Sequence, residues 1–421
     1  MNKIPKEMKP ILNILIHYYR HEYSLTNSRF TAKNFVCDNQ GDHICDVSTL
    51  SKLENNRSCG LDSTYYGLIH NLNMKLSPNA KLNSLFNGMN HTILKHAEHN
   101  YSIKIVRLIE YAKEVANEFA NTIYYREYLE LYNIIYFYYY DVSFDKDLID
   151  KYLHLYEIID EDLKPVFLSI AYHYYSRVNI NDKVSLDIIT RSLDLKTNTI
   201  IRSHLINVYY VRTNQPLKIK QQASKNIVYC QKHNNKLYLT KAYNLLAYLY
   251  TSSNPNKTMY YLKLYVENFD YENDFNENLV GAYRNMAHIY FSRKEYDEVL
   301  NLYNNDLYNN SLFIKAFFMF LIATIKNKSD NIDEIQRIIT ITTSNIDDLS
   351  EFHKTLVKFY ESVYFKKSFK EISLFIHELL KLKDSFNDQE ILKDILLDEI
   401  TETCHKHKAY STYGTVMKHL H

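Results

Sequence analysis

The sequence is short of the residues that interrupt regular structure. Its 421 residues include six Gly, six Pro and no Trp, and no two glycines lie closer than seven residues. Phosphate-binding loops need clustered glycines, because the backbone must approach the ligand closely and often at positive φ. A Walker loop and a dinucleotide-binding fingerprint are therefore excluded. Few Gly and Pro also leave few β-turns, so the pattern predicts an all-α fold of long helices joined by short polar turns.

Cysteines and long apolar runs are also scarce. The five cysteines are scattered and form no C-x-x-C pair, which indicates reduced thiols and a cytoplasmic protein. The longest apolar run, at 316–325, lies between Lys315 and Lys326 and is shorter than the about 20 residues that span a bilayer. No signal-peptide pattern opens the chain. We expect a folded protein that does not enter a membrane.

Two segments repeat at a distance of 40 residues: KAYNLLAYLY at 241–250 and GAYRNMAHIY at 281–290. They share two alanines and end on a tyrosine, and weaker copies end near Tyr174 and Tyr210. A polar turn and a second amphipathic segment follow each copy. Because a small residue lets two antiparallel helices approach closely, this pattern predicts helix–turn–helix units that stack on one another.

The A-x-x-Y pattern, a turn and then an aromatic residue such as Tyr296 resemble the tetratricopeptide repeat over residues 125–421. The repeat period varies from about 34 to about 40 residues, which a generic helical solenoid also allows. The resemblance implies a right-handed superhelix with a concave groove. Such a groove holds an extended peptide or a partner helix.

The chain before residue 77 does not share this repeat. Its pattern predicts four or five short helices, which include KPILNILIHYYR, NSRFTAKNFV, VSTLSKLENN and STYYGLIHNLNM, with a turn-like excursion at CDNQGDH. In the third helix Val47, Leu50 and Leu53 form one apolar stripe, and Asp46 is a suitable N-cap. The other face is polar throughout and carries Ser48, Thr49, Ser51, Lys52 and Asn55.

The run from Val47 to Asn55 resembles the third helix of the Cro/C1-type (Xre) helix-turn-helix family, and Leu25-Thr26-Asn27 resembles the start of that family's second helix. The resemblance implies that this segment binds double-stranded DNA. It places Ser48, Thr49 and Lys52 at base edges and assigns Asn27, Asn55 and Arg57 to phosphates, with Arg29 on the same surface.

The segment departs from the family in three ways. The excursion carries Asp38 and Asp42, which would repel phosphates, and Asn56 stands where the family has Gly, although Asn tolerates the left-handed conformation. Residues 1–75 contain nine Lys and Arg against seven Asp and Glu, a small basic excess for a DNA reader. The alternative is a vestigial helix-turn-helix that contacts protein.

The repeats supply candidate ligand-binding residues. His204, Asn244 and Arg284 occupy one equivalent position of the first helices, and Tyr248 and His288 occupy another. Amide and guanidinium groups suit the main chain and carboxylate of an extended peptide. Solvated polar residues on a solenoid surface would give the same pattern.

The predicted layout is a helix-turn-helix domain at 1–76, a linker with connecting helices at 77–124 and helical repeats at 125–421. This layout resembles the RNPP/Rgg-like regulators, which are intracellular receptors for short signalling peptides. The resemblance implies a homodimeric transcription regulator whose peptide shifts a two-state equilibrium between different spacings of its DNA-binding domains. The rival hypothesis is a scaffold that binds a partner protein without DNA, and a third hypothesis is a repeat protein that inhibits an enzyme directly. No spacing favours catalysis, a metal or a cofactor.

Overall fold

The computed structural model describes the chain apart from residues 1–2, 39, 58, 141–144, 270–275, 304–316, 328–331, 345, 366, 383–389 and 421. Within the described residues, helices make up the regular structure, together with two isolated β-bridges. The predicted all-α fold is confirmed. No helix in this part of the chain is both long and apolar enough to cross a membrane.

The chain forms two compact units, residues 1–246 and 247–421. The predicted domain boundaries after residues 76 and 124 both lie inside the first unit. Its α-helices are α1 Met8–Ser24, α2 Ala32–Phe35, α3 Val47–Glu54, α4 Asp62–Asn71, α5 Ala80–Ala97, α6 Ser102–Val115, α7 Tyr125–Tyr139, α8 Lys146–His154, α9 Lys164–His173, α10 Asp182–Arg191, α11 Ile200–Arg212 and α12 Pro216–Lys232, followed by α13 Lys236–Tyr250, which runs into the second unit.

The second unit continues with α14 Pro255–Glu267, α15 Asn276–Ser292, α16 Tyr296–Tyr303, α17 Phe317–Asn327, α18 Ile332–Thr343, α19 Glu351–Tyr364, α20 Phe369–Lys381, α21 Glu390–Lys406 and α22 Tyr410–Leu420. Among the described residues of each unit, the most extensive helix contacts join helices that follow one another. Such nearest-neighbour packing is typical of helical repeats. Residues 317–325 of the predicted apolar helix lie in α17, and those from Phe318 to Ala323 are buried, as expected; residue 316 lies outside the described residues.

The repeated alanines have the packing role that the sequence predicts. Ala242, Ala247, Ala282 and Ala287 are all buried, and Tyr290 is buried with them. A buried methyl group at these positions permits close packing of helices, and the tyrosine fills space one turn further on. The turns end in residues at positive φ, including Asn214, Asn234 and Lys294.

The prediction of one continuous helix over NSRFTAKNFV is wrong. A 3₁₀ turn spans Ser28–Phe30, and α2 begins only at Ala32, after Thr31 in an extended conformation. The reason is tertiary: the Arg20 guanidinium donates to the Phe30 carbonyl at 3.1 Å, and Asn34 N–H bonds to Thr31 instead. The 3₁₀ turn therefore ends and a new helix begins.

The helices α1 to α4 pack against the first repeats through α1. Tyr19 of α1 donates a 2.6 Å hydrogen bond to Glu127 Oε1 of α7, and the Arg126 guanidinium lies over the Tyr19 ring at 4.9 Å. Further along, Ile123 N–H bonds to the Lys75 carbonyl at 2.9 Å. The N-terminal segment thus contacts the first repeats through α1 and through the residues that follow α4.

Candidate functional site

Helix α3 presents a polar surface on a firmly anchored core. Leu50 and Leu53 are fully buried, whereas Ser48, Ser51 and Lys52 are exposed. The predicted stripe is only partly right, because Val47, in the first turn, is 45% exposed. Thr49, predicted to point outward, is half-buried. The polar face is therefore Ser48, Ser51, Lys52 and Asn55.

A buried ion pair fixes α3 to α1. The Arg20 guanidinium donates through Nε and Nη2 to both carboxylate oxygens of Glu54, the Nη2 bond being 2.9 Å long. Both side chains are largely shielded from solvent. A bidentate pair of this kind sets the orientation of the helix as well as holding it. Glu54 therefore positions the neighbouring Lys52 and Asn55.

The C-terminus of α3 turns outward through a Schellman motif. Asn56 adopts φ 54°, with hydrogen bonds of 2.8 Å from Asn56 N–H to Leu53 and from Arg57 N–H to Lys52. The predicted tolerance of Asn56 for the left-handed conformation is confirmed. The Asn13 amide donates to Asn56 Oδ1 at 3.0 Å, and Arg57, the next residue, is exposed.

The remaining predicted DNA-binding residues are less free to contact a ligand. Asn27 is exposed, but its side chain accepts a 2.9 Å hydrogen bond from Arg29 N–H and so caps the 3₁₀ turn. The Asn55 amide donates to the Ser51 carbonyl at 2.7 Å. The Arg29 side chain is exposed. Asp46 lies at the N-cap of α3, as predicted, but its side chain makes no capping bond.

The excursion between α2 and α3 is a short closed loop. Cys37 and His43 form an antiparallel β-bridge, and the Asp38 carboxylate accepts hydrogen bonds from the N–H groups of Gln40 and Asp42. The Asn71 amide holds the base of the loop through the Phe35 and Cys37 carbonyls, each at 2.8 Å. Asp42 and Asp46 remain exposed before α3 and place negative charge near its start.

A second candidate site lies on the first helices of four successive repeats. One ring comes from each of α7, α9, α11 and α13: Tyr138, His173, His204 and Tyr238. Tyr138 packs edge-on against His173 at a centroid distance of 5.5 Å, and His204 packs in the same way against Tyr238 at 5.4 Å. We call these four residues the ring row. Tyr138, His173 and His204 are half-buried, and Tyr238 is buried.

Two cations accompany the ring row. Lys241 Nζ lies over the Tyr238 ring at 4.6 Å, and Arg177 belongs to a π-helical turn that follows α9. Burial, reinforced by Lys241, lowers the pKa of His204 to about 3. Burial also lowers the pKa of His173, with Arg177 and Lys241 adding to the effect. Both imidazoles are therefore neutral at pH 7 beside fixed positive charges, an environment that favours an anionic group.

The predicted peptide-binding residues fall on both compact units. His204 and Asn244 belong to the first, where His204 joins the ring row and Asn244 is exposed on α13. Tyr248, Arg284 and His288 belong to the second unit. There Tyr248 is 66% exposed, His288 is exposed and Arg284 is half-buried.

Sequence reasoning missed Tyr138, His173, Arg177, Tyr238 and Lys241. The four rings lie 35, 31 and 34 residues apart along the chain, which is close to the tetratricopeptide period. An alignment of repeats on that spacing, rather than on the 40-residue spacing of the later copies, would have identified the ring row.

No protein-family model matches the chain, and no curated protein matches it. Among solved structures, the chain is similar to that titled "Crystal Structure of Rap Protein Complexed with Competence and Sporulation Factor", with 13% sequence identity and a TM-score of 0.49. The match covers 82% of this chain and 97% of that one. At this identity no residue role passes from that protein to this one.

Proposed function

We propose that the protein is a transcription regulator that binds duplex DNA through α3 and a short peptide through its helical repeats. The observation that supports DNA binding best is the exposed polar face of α3, which the Arg20–Glu54 ion pair holds in a fixed orientation. Ser48, Ser51 and Lys52 would reach base edges, and Arg57 would contact a phosphate.

The ring row supports the peptide-binding half of the proposal. Side chains that can stack or accept and donate hydrogen bonds suit an extended main chain, and Lys241 and Arg177 provide positive charge for a carboxylate. The peptide would then bind with its carboxylate towards Lys241. A peptide changes DNA affinity only if it binds the two states of the protein with different affinity.

A retention assay tests DNA binding. Purified protein is incubated with random genomic duplex fragments at two salt concentrations, alongside a Lys52→Glu, Arg57→Glu variant. We expect salt-sensitive retention that the charge reversal abolishes, because phosphate contacts release counterions. A Lys95→Glu, Lys183→Glu variant, changed at exposed lysines outside α3, serves as the control and should retain DNA.

Peptide binding is tested by calorimetry with random pentapeptide mixtures that carry either a free or an amidated C-terminus. We expect heat of binding from the free-carboxylate mixture, and its loss in Lys241→Gln but not in Lys95→Gln. Equal heats from both mixtures would contradict the assignment of the carboxylate to Lys241.

The alternative function is a scaffold that binds a partner protein without DNA. The exposed carboxylates of Asp42 and Asp46 before α3 favour it, because they repel a phosphate backbone. Retention of no fragment, or retention that is indifferent to the Lys52 and Arg57 substitutions, would support the scaffold.

A further inference from the structure

The charges of the chain are strongly segregated. Residues 195–266 contain eleven Lys and Arg and no Asp or Glu, although the chain as a whole has 50 basic and 49 acidic residues. An even distribution would place about eight acidic residues in a stretch of that length. The whole tract is described by the structure and runs from α11 and α12 of the first unit through α13 to the last turn of α14. Negative charge has been kept out of these helices.

Helix α12 carries the largest group of exposed basic residues in the tract. Its 17 residues include four lysines and no acid, and its buried side is formed by Ile219, Ala223, Asn226 and Cys230. Among the described residues, no carboxylate lies within ion-pair distance of Lys218, Lys220, Lys225 or Lys232. Lys218 Nζ lies over the Tyr210 ring at 5.3 Å, and two arginines of the tract have polar partners within the protein. Arg202 donates to the Ser192 and Leu193 carbonyls, and Arg212 pairs with Asp182.

The lysines of α12 follow a helix-packing register. Lys218, Lys225 and Lys232 are seven residues apart, so they form one stripe with a step of about 10.5 Å. Beside that stripe runs a seam with spacings of four and three residues, which consists of Leu217, Gln221, Ser224, Val228 and Gln231, all exposed. In the heptad notation these are d and a positions, and the three lysines are e positions.

Two apolar side chains in the seam indicate a protein partner. Leu217 is 76% exposed and Val228 is 67% exposed. A nucleic-acid backbone that bound here would gain no free energy from covering these apolar side chains. The apolar stripe of an amphipathic helix would remove both from water, which is favourable. Glutamates that flank the apolar stripe of such a helix would meet the lysine stripe, as charged residues do across helix pairs. The seven-residue spacing of the lysines equals the heptad repeat of two α-helices packed side by side.

We propose that the outward face of α12 is a docking surface for an acidic amphipathic helix of a partner protein. Leu217 and Val228 contact the apolar stripe of that helix, and Lys218, Lys225 and Lys232 pair with its carboxylates. This surface is separate from α3 and from the ring row, and it does not depend on DNA or peptide binding.

The test uses a synthetic helix of about three heptads with Leu at a and d and Glu at e and g, titrated against the full-length protein. A matched probe carries Lys in place of Glu. The protein variant is Lys218→Gln, Lys225→Gln, Lys232→Gln, and the control is Lys6→Gln, Lys95→Gln, Lys183→Gln, which removes three exposed lysines elsewhere in the first unit. Because Gln is a good helix former, circular dichroism should show both variants folded.

We expect the acidic probe to bind and the α12 variant to weaken that binding about tenfold, since three exposed charge pairs are lost. The control variant and the Lys52→Glu, Arg57→Glu variant should bind the probe as the wild type does. A Leu217→Ser, Val228→Ser variant should also weaken binding.

Absence of binding, equal binding of the lysine probe, or an equal loss in the control would overturn the proposal. Displacement of the probe by duplex DNA, lost in the α12 variant, would assign the surface to nucleic acid instead.

Discussion

Tyr19 donates a 2.6 Å hydrogen bond to the buried carboxylate of Glu127, although the two residues lie 108 positions apart in the chain. The second carboxylate oxygen accepts from Tyr124 N–H at 2.6 Å, and the Arg126 guanidinium donates to the first. The Glu127 carboxylate is thus held by groups from both α1 and the start of α7. It joins the N-terminal helices to the repeats.

Replacement of Tyr19 by Phe removes one donor from this carboxylate. A hydrogen bond to a charged group contributes roughly 2 kcal/mol, so we expect the melting temperature of the first unit to fall by about 5 °C in Tyr19→Phe. Differential scanning calorimetry measures this melting temperature. Tyr23→Phe is the matched control on the same helix, because the Tyr23 ring packs against Phe30 at 5.2 Å and its ring is kept. Equal shifts in the two variants would contradict the role of the hydroxyl group.

Glu54→Gln tests the ion pair that fixes α3. Loss of one partner from a buried pair costs about 3 kcal/mol, which corresponds to a rise on the order of a hundredfold in the hydrogen exchange of the α3 amides. Mass spectrometry of peptides that cover 47–54 measures this rate. The exposed Glu22, changed to Gln, should leave α3 protected. An unchanged exchange rate in Glu54→Gln would mean that Leu50 and Leu53 hold the helix without the ion pair.

Asn56 offers a test of the turn after α3. In Asn56→Ala the alanine backbone must keep a positive φ, and the hydrogen bond with Asn13 is lost. We therefore expect the free energy of unfolding to fall by about 2 kcal/mol. Asn56→Gly loses the same bond but accepts the conformation, and should cost less than half as much. Melting temperatures of both variants separate the two effects. If alanine and glycine were equivalent, backbone strain would play no part.

The low pKa of His204 predicts a pH dependence of stability. Since the pKa of about 3 in the folded protein lies below the ordinary 6.5, protons favour the unfolded chain, and stability present above pH 6.5 is lost as the pH falls. Between pH 7 and pH 5 we expect the wild type to lose about 1 kcal/mol more than His204→Gln, after allowance for partial solvation of the ring. Thermal melts across this range measure the difference.

His70 provides the control for that pH dependence, because it is an exposed histidine of the first unit. An equal loss of the pH dependence in His70→Gln would show that it does not come from His204. If His204→Gln followed the wild type, the imidazole would titrate alike in the folded and unfolded chains.

Local patterns predicted most of the helices. The alanines at 242, 247, 282 and 287 are buried where the repeat required them, and α14 and α16 begin after the polar turns that the sequence marks. These features depend on contacts between helices that are neighbours in the chain. Their signal is therefore contained in a window of about 40 residues.

The sequence failed where distant side chains decide the structure. The break at Thr31 depends on Arg20, which takes the Phe30 carbonyl, and no pattern within NSRFTAKNFV contains that donor. The sequence identified only one residue of the ring row, for a related reason. His204 was identified, but its neighbours come from three other helices, and their contacts appear only when the helices are placed side by side.

The link between Tyr19 and Glu127 limits how the N-terminal helices can respond to a ligand. Because α1 and α7 are packed and hydrogen-bonded together, a displacement of α7 moves α1 as well, and the N-terminal helices do not swing on a tether. Spin labels on α3 and α7 would then report one narrow distance distribution whose mean and width a ligand leaves unchanged. The Tyr19→Phe substitution would broaden that distribution.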